Sequence, residues 1–230
     1  MNFFKTVDTW GNPEVLTQSF QNEKLSIRVY TNGFSYGLYQ ENQLLWLEQL
    51  EFTNTPSSFE KIIEFLKHKF STGFKTVECI SDSESYAVLP QNAGSDFEIE
   101  CFFVRNISSP VQFFEIEKYA LDQYSNIVYE LRSGLKKTFK TAYPQIVFQN
   151  SLIRVLENIQ SSGKIKEYGA VLNFSDASAG FVLLYNEKLQ AIRNFDITRK
   201  EDFLYHFLYV FHQLQVPTHQ TILFISGLID

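Results

Sequence analysis

Apolar and polar residues follow the same order twice along this chain. Residues 25–81 align without a gap with residues 170–226, at an offset of 145 positions (170 − 25 = 145). Apolar residues coincide at most apolar positions of the two stretches. In both stretches apolar residues first alternate with polar ones, which is typical of strands, and later recur at helical spacing. The pattern therefore predicts one β-β-β-α-β unit that occurs twice.

The first copy starts with a strand over residues 25–29, followed by strands over residues 34–40 and 44–52. Glu41-Asn42 joins the last two as a two-residue hairpin turn. A helix comes next, with Ser57 and Glu60 as its capping box. Its core face is predicted from helical spacing, and a strand over residues 76–81 closes the unit. The residues of that helix face are Phe59, Ile63, Leu66 and Phe70.

The second copy repeats these elements at the same offset. Its strands are predicted at residues 170–174, 179–185 and 189–197, with Asn186-Glu187 at the place of Glu41-Asn42. Thr198 and Glu201 then begin a helix, and a strand over residues 221–226 ends the copy. Repetition of the whole order favours duplication, although generic α/β patterning is the alternative explanation.

Between the copies the pattern is less regular. Strands are predicted at residues 85–90, 126–131 and 146–148, and helices at residues 133–142 and 152–159. Residues 96–106 fit no single element. Because Ser161-Ser162-Gly163-Lys164 is typical of a linker, we divide the chain after Gly163. The predicted organisation is an N-terminal arm (1–24), a first subdomain (25–163) and a second, possibly shortened, subdomain (164–230).

Composition narrows the class of protein. The net charge is −6 and the pI is about 5.3, which disfavours a broad nucleic-acid surface or a polybasic membrane anchor. No apolar run is long enough to span a membrane, so no membrane insertion is predicted. Two cysteines are too few for a disulfide scaffold, and Cys79 is predicted to be a reduced thiol in the core. These features predict a cytoplasmic protein.

Two β-β-β-α-β units with mixed sheets resemble the ribonuclease-H-like fold of actin-like ATPases. The segments over Lys24–Tyr39, Tyr86–Pro90 and Gly169–Leu214 are also similar to a narrower family. That family comprises Bacteroidetes proteins catalogued as a domain of unknown function with an actin-like fold. Its most specific part here is the segment with Asn186, Phe195-Asp196 and Asp202–Tyr205. The resemblance implies an α/β fold and a further helix and strand after Gly227.

The resemblance also indicates where nucleotide chemistry would lie. ATPases of this fold place an Asp at the end of the first strand of each unit to hold Mg²⁺, followed by glycines that let backbone N–H groups approach a phosphate. At those places this chain has Val29–Phe34 and Phe174–Gly180, where only part of the pattern is present. Active ATP hydrolysis is therefore disfavoured, and the first strands lack the carboxylates of a ribonuclease-H-type nuclease.

A degenerate nucleotide site remains an alternative, with no cofactor predicted outside it. ATP and Mg²⁺ would then lie at the strand ends of the two units. The residues that would line this site are Thr31, Asn32, Gly33, Asp176, Ser178, Ser226 and Gly227.

Other chemistry has weaker support. The four histidines show no triad or metal spacing, so no catalytic or metal residues are predicted. The helix over residues 200–215 carries Tyr205, His206, Tyr209 and His212 opposite its apolar arc. This face is either covered by a neighbouring element, which we favour, or offered to a partner. Arg132, Lys136, Lys137 and Lys140 form a basic cluster typical of a solvated face.

The function that the sequence favours is a non-catalytic actin-like scaffold that binds an unknown protein partner in a cleft between its units. The alternatives are a degenerate ATP-binding protein and, second, an RNA-associated factor using the Lys136 cluster, although nucleic acid is the less favoured partner. A homo-oligomer is compatible with the sequence. The scaffold hypothesis rests on analogy of fold, which says little about function.

Overall fold

The fold was analysed in a computed structural model of the chain. The structure describes residues 3–17, 20, 23–30, 32–53, 58–70, 73–83, 85–95, 98–99, 101, 114–122, 124–175, 178–197 and 199–227. Its contacts divide the chain into two compact units. The first comprises Met1–Asp82 and Gly134–Asn150, and the second Ser83–Ser133 and Ser151–Asp230.

Thirteen strands and four α-helices are described. The strands are β1 (Phe4–Gly11), β2 (Lys24–Val29), β3 (Gly33–Gln40), β4 (Gln43–Phe52), β5 (Thr76–Ser81), β6 (Tyr86–Pro90), β7 (Phe114–Ala120), β8 (Ser125–Arg132), β9 (Val147–Asn150), β10 (Tyr168–Phe174), β11 (Ser178–Tyr185), β12 (Lys188–Asp196) and β13 (Thr221–Gly227). The helices are α1 (Phe59–Lys69), α2 (Leu135–Ala142), α3 (Ser151–Ser162) and α4 (Lys200–Gln213). Short 3₁₀ turns lie at Pro13–Thr17 and Thr218–Gln220.

The first unit is built on a sheet with the strand order β1-β4-β3-β2-β5-β9. The strands β1 to β4 pair antiparallel, whereas β5 runs parallel to β2 and β9 parallel to β5. Helix α1 crosses over between β4 and β5. Aromatic rings join it to the sheet, since the Phe65 ring lies 5.7 Å from Phe34 and 5.3 Å from Phe4. These rings form a thick apolar layer.

The second unit contains the sheet β12-β11-β10-β13, in which β10 and β13 are parallel. Helices cover both of its faces. Leu152 and Leu156 of α3 pack with Val171 and Val182 on one face. Phe211 of α4 packs on the other face with the strand residues Ala170, Leu172, Phe181 and Leu183. A separate sheet of order β6-β8-β7 also belongs to this unit.

The predicted duplication is confirmed in the strand pairing. Leu25 pairs with Leu38, and Ala170 pairs with Leu183 at the same offset. A register shift follows Leu38 in one hairpin and Leu183 in the other. Both two-residue turns have positive φ at each residue: 48° and 70° at Glu41-Asn42, 48° and 64° at Asn186-Glu187. These are the angles of type I′ hairpins, whose twist matches that of the strands.

Some elements differ from the sequence analysis. Residues 4–11, inside the predicted arm, form β1 and pair with β4, and β7 was not predicted. The contacts place α3 with the second sheet, whereas the sequence analysis divides the chain after Gly163.

Ser57 and Thr198 lie outside the described residues, as does most of 96–106. The residues at the helix N-caps are Ser58 and Arg199, without a side-chain capping bond.

Candidate functional site

The end of β2 in the first unit carries an ion pair. The Arg28 guanidinium donates to both carboxylate oxygens of Asp82, at 3.0 and 3.2 Å. The two side chains are only 20% and 14% exposed, so solvent screens the pair weakly. A carboxylate is present here, but it lies after β5 and is neutralised by an arginine. This arrangement opposes Mg²⁺ coordination at that position.

The β2–β3 turn was predicted to contribute Thr31, Asn32 and Gly33. Thr31 lies outside the described residues. The Asn32 carbonyl accepts from the Phe52 N–H at 2.9 Å, which holds the turn against β4. A Cβ added to Gly33 would lie 2.0 Å from the Leu50 carbonyl oxygen. This glycine is therefore required by strand packing, whether or not a phosphate binds nearby.

A buried hydrogen-bond network lies at the corresponding end of β10 in the second unit. The Asn173 amide donates to Ser151 Oγ at 2.9 Å, and Ser226 Oγ donates to Asn173 Oδ1 at 2.9 Å. Asn173 is 5% exposed, so these bonds compensate the cost of burying its amide. Ser226, one of the predicted nucleotide residues, thus has an internal partner.

The β10–β11 turn holds its own polar groups in a similar way. Ser178 Oγ lies 2.9 Å from Ser175 Oγ, and the Ser178 carbonyl accepts from the Ser175 N–H at 2.8 Å. Gly227 has φ +101°, and a Cβ there would lie 2.0 Å from the Phe174 carbonyl oxygen. The structure brings Ser178, Ser226 and Gly227 to the same end of this sheet. Asp176 lies outside the described residues.

Arg28 and Asn173 are the two residues that the sequence analysis did not single out. The 145-residue offset relates them, because 28 + 145 = 173. Each lies one position before the end of the first strand of its unit, opposite β5 or β13. The repeat itself contained this signal, since its offset aligns an arginine and an amide at equivalent positions of the two first strands, directly before the segments 29–34 and 174–180. Arg28 is a cation, and the Asn173 amide oxygen already accepts a hydrogen bond from Ser226.

Other reactive groups in the described ranges are structural. Cys79 is completely buried, and burial raises the pKa of its thiol, as predicted for an inert core cysteine. Glu48 is buried between Tyr36, Lys69 and Thr6, whose hydroxyl donates to it at 3.0 Å. Burial raises the pKa of Glu48, but the hydrogen bonds from Lys69 and Tyr36 outweigh that effect and lower it. No grouping of three metal-ligating side chains occurs among the residues described.

The predicted tyrosine–histidine face of α4 is solvent-exposed, so the favoured interpretation, that a neighbouring element buries it, is wrong. Tyr205 and Tyr209 are 63% and 44% exposed, and their rings stack with centroids 5.9 Å apart. The Tyr209 ring also stacks on His212. His206 and Tyr209 line an open cavity of about 590 Å³ between α4 and β12. Tyr205, Tyr209 and His212 lie opposite the face of α4 whose phenylalanines pack with the sheet.

The basic cluster is spread over both units. Lys136, Lys137 and Lys140 are on α2 of the first unit, whereas Arg132 belongs to the second. The Lys136 ammonium lies 6.0 Å from the centre of the Phe148 ring, and Lys137 and Lys140 are exposed. This distribution is typical of a solvated helix face. No helix in the described part of the chain has the length and hydropathy that a membrane crossing requires.

Comparison with solved structures confirms the fold. A Bacteroides thetaiotaomicron protein with an actin-like ATPase fold and unknown function is similar, with a TM-score of 0.73 and 18% identity over 91% of this chain and 84% of that one. The cytoplasmic domain of EpsL, an inner membrane component of the type II secretion system of Vibrio cholerae, is similar at a TM-score of 0.52 and 8% identity, covering 90% and 83%. These likenesses establish a duplicated actin-like α/β fold.

Comparison with curated proteins gives no match. The model of one protein family matches residues 12–230, nearly the whole chain. That family is described as Protein of unknown function (DUF3822). The predicted resemblance to a domain of unknown function with an actin-like fold is thereby confirmed. This chain belongs to the DUF3822 family.

Proposed function

We propose that this protein is a non-catalytic member of the actin-like fold that acts by binding another protein. The observation that carries the proposal is the pair of polar side chains near the strand ends that bond to internal partners. Arg28 and Asn173 lie one position before the ends of β2 and β10, next to the segments 29–34 and 174–180 in which the resemblance expects metal- and phosphate-binding residues. Both side chains bond to internal partners, which supports a structural role for these strand ends.

The polar groups of the second unit support the same proposal. Asn173 and Ser226 are joined in one buried network, and Ser175 bonds to Ser178. A ligand that broke these bonds without replacing them would leave the buried Asn173 amide unsatisfied, which costs about 1–3 kcal/mol. The degenerate nucleotide site stays the competing hypothesis, and the RNA hypothesis has no geometry that favours it.

Protein binding is supported by the exposed aromatic and apolar side chains on α4. Tyr205, Tyr209, Leu204 and Leu208 are all between 44% and 63% exposed. Tyrosines and large apolar side chains on one helix are typical of protein interfaces. EpsL, whose cytoplasmic domain is similar in fold, is a component of a secretion system, which agrees with a role of this architecture in assembly.

A nucleotide titration tests the proposal. The purified chain is titrated with ATP to about 5 mM in the presence of Mg²⁺ while its melting temperature and phosphate release are measured. We expect neither stabilisation nor release. Arg28→Asp is the informative variant, because it removes the cation paired with Asp82 and adds a second carboxylate, so any residual Mg²⁺-dependent nucleotide affinity should rise. Saturable stabilisation would favour the nucleotide-binding alternative, and steady phosphate release would refute the proposal.

A further inference from the structure

A cavity of about 590 Å³ opens between α4 and β12 in the second unit. The equivalent place in the first unit, between α1 and β4, is filled by the start of β1, where the Phe4 ring lies 5.3 Å from the Phe65 ring of α1. The offset of 145 relates Phe65 to Val210, which lines the cavity (65 + 145 = 210). The cavity therefore corresponds to a region that the first unit closes with its N-terminal strand.

Among the described residues, the second copy places no strand there, because the residues that correspond to β1 are used elsewhere. Residues 4–11 correspond to residues 149–156 (4 + 145 = 149), which form the end of β9 and the start of α3. Helix α3 packs on the face of the sheet opposite to α4. An element that followed β13 as β9 follows β5 would lie at the other edge of the sheet, away from β12. The opening of the cavity therefore follows from how the described residues are arranged.

The cavity is lined mainly by polar side chains, unlike the aromatic contact in the first unit. These polar residues are Arg193, Asp196, Arg199, Asp202, His206 and Gln213. Two arginines and two aspartates give the lining no net charge when His206 is neutral. A ligand with a net charge would be attracted by one pair and repelled by the other, so the lining favours an uncharged, polar ligand.

Several side chains of the lining are available for hydrogen bonds. Arg193, Gln213 and the Tyr209 hydroxyl have no hydrogen-bond partner among the described residues. Asp202 lies 3.7 Å from Arg199 in an ion pair whose side chains are 61% and 80% exposed, so solvent weakens that pair. Arginine donates hydrogen bonds and aspartate accepts them, whereas a hydroxyl does both. A ligand with several hydroxyls therefore matches this mixture of groups.

An aromatic ring gives the cavity an apolar wall. The Tyr209 ring stacks on Tyr205 with centroids 5.9 Å apart and on His212 with centroids 6.3 Å apart, so neighbouring rings hold it in position. Phe195 and Val210 also line the cavity. A sugar ring has apolar C–H faces and hydroxyls around its rim. It can therefore pack on an aromatic ring while its hydroxyls bond to polar groups.

From this combination we infer that the cavity between α4 and β12 binds a neutral sugar of one or two rings. The volume of the cavity lies within the usual range of small-molecule sites, about 300–1,000 Å³. The sugar packs against Tyr209, Arg193 and Gln213 donate to its hydroxyls, and Asp202 accepts from them. This binding goes beyond the proposed function, and neither depends on the other.

A nuclear magnetic resonance titration tests the inference. The full chain, labelled with ¹⁵N, is titrated to about 50 mM with glucose, galactose, mannose, maltose or lactose. Because the cavity is open and the ligand stays partly solvated, we expect saturable shifts with at least one of these sugars at a Kd of about 1–10 mM. The shifts should lie at the amides of residues 193–196 and 206–213. Glycerol, which has hydroxyls but no ring, should produce no saturable shift.

Two tyrosine variants separate the cavity from the rest of the surface. Tyr209→Ala should weaken binding by about tenfold, because the sugar loses its aromatic wall. The matched control is Tyr185→Ala, since Tyr185 is 41% exposed, against 44% for Tyr209, and its ring also contacts a tyrosine, Tyr168. Tyr185 does not line the cavity, so this variant should leave the affinity unchanged.

A variant of Arg193 tests the charge of the ligand. Arg193→Gln retains a hydrogen-bond donor but removes the charge, so it should weaken binding of a neutral sugar by only about threefold. Glucuronate should bind no more tightly than glucose. If glucuronate bound about tenfold more tightly and Arg193→Gln abolished that gain, the cavity would be an anion site and the inference would be overturned.

Three other results would overturn the inference: no saturable shift with any of the sugars, shifts that lie outside the cavity, or equal losses in the two tyrosine variants. Both tyrosines are exposed, so both variants should keep the melting temperature of the native chain within about 3 °C. None of these results affects the ATP titration, which tests the proposed function separately.

Discussion

The two halves of this molecule share a topology but differ in how they are completed. In the first unit β5 lies between β2 and β9, and α1 is flanked by α2. In the second unit β13 is an edge in the described residues, and the equivalent flank of α4 is exposed. In the described residues the two cores keep the same strand register, although only the first has a helix and strand such as α2 and β9 beside it.

Their interiors differ as well. The first unit buries a polar cluster in which Tyr36 and Lys69 both donate to Glu48. At the offset of 145, the second unit has Phe181, Arg193 and Leu214 at these places. Phe181 is completely buried among aromatic rings, and Arg193 is exposed. The strand pairing therefore depends on alternation and turns, and it tolerates either an ionic or an apolar interior.

The largest expected difference between the units comes from truncating one side chain at matched helix positions. Ile63→Ala should lower the free energy of unfolding of the first unit by about 3 kcal/mol, because it leaves a cavity in a packed core. Leu208→Ala should lower that of the second unit by less than about 1 kcal/mol, since the side chain is half exposed. Hydrogen exchange at the amides of β3 and β11 measures the two separately. Equal losses of stability in the two units would contradict the difference in burial between Ile63 and Leu208.

Removal of the cation from the polar cluster should have the next largest effect. Lys69→Met leaves the Glu48 carboxylate buried without its ion pair, and we expect a loss of about 2 kcal/mol at pH 7. Urea unfolding measures this loss when hydrogen exchange at the amides of β4 is used as the probe. The conservative control is Lys69→Arg, which retains the charge and should lose less.

The pH dependence of the same variant has a definite sign. In the native protein the pKa of Glu48 is lowered, so its contribution to stability is present above its ordinary pKa of 4.5 and is lost as the pH falls through the folded value. Without Lys69, burial raises that pKa, and protonation then stabilises the variant. The difference between native and variant stability should therefore shrink from pH 7 to pH 4. A constant difference would show that Lys69 acts through packing alone.

Most of the duplicated core could be predicted because its signals are local. Alternating residues and the turns Glu41-Asn42 and Asn186-Glu187 determine the hairpins, and all three strands of each copy were placed correctly. Strand β1 was missed because its polar residues face solvent along an edge, so Lys5, Thr6 and Asp8 give no apolar alternation. Strand β7 does alternate, with Glu115 and Glu117 flanking Ile116, and that signal was overlooked.

The candidate site was less predictable for a different reason. The positions of Ser178, Ser226 and Gly227 at one sheet end followed from the strand order. The bonds from Asn173 to Ser151 and Ser226 did not, because they join side chains 22 and 53 residues apart. The exposure of Tyr205 and Tyr209 also depends on which elements lie beside α4, a property that no local pattern in that helix contains.

A smaller effect should follow from placing a carboxylate at the second strand end. Asn173→Asp should destabilise the second unit by about 1–2 kcal/mol at pH 7, because burial opposes ionisation. Its folded pKa should exceed the unfolded value, so the destabilisation should diminish as the pH falls. Thermal melting at pH 7 and pH 5 measures this change. The exposed Asn186→Asp is the control and should show little pH dependence; identical behaviour of the two variants would contradict the buried network.

The smallest expected effect separates the two type I′ turns. Asn42 and Glu187 occupy equivalent positions with φ of 70° and 64°, and asparagine adopts this left-handed region at a lower cost than glutamate. Glu187→Gly should therefore stabilise the second unit by about 0.5–1 kcal/mol, and Asn42→Gly should change the first by less. Gln160 donates to the Glu187 carbonyl at 3.0 Å, a bond that the substitution retains. Exchange at the amides of β3 and β11 measures both effects. A larger gain in the first unit would contradict the assignment of the greater turn strain to Glu187.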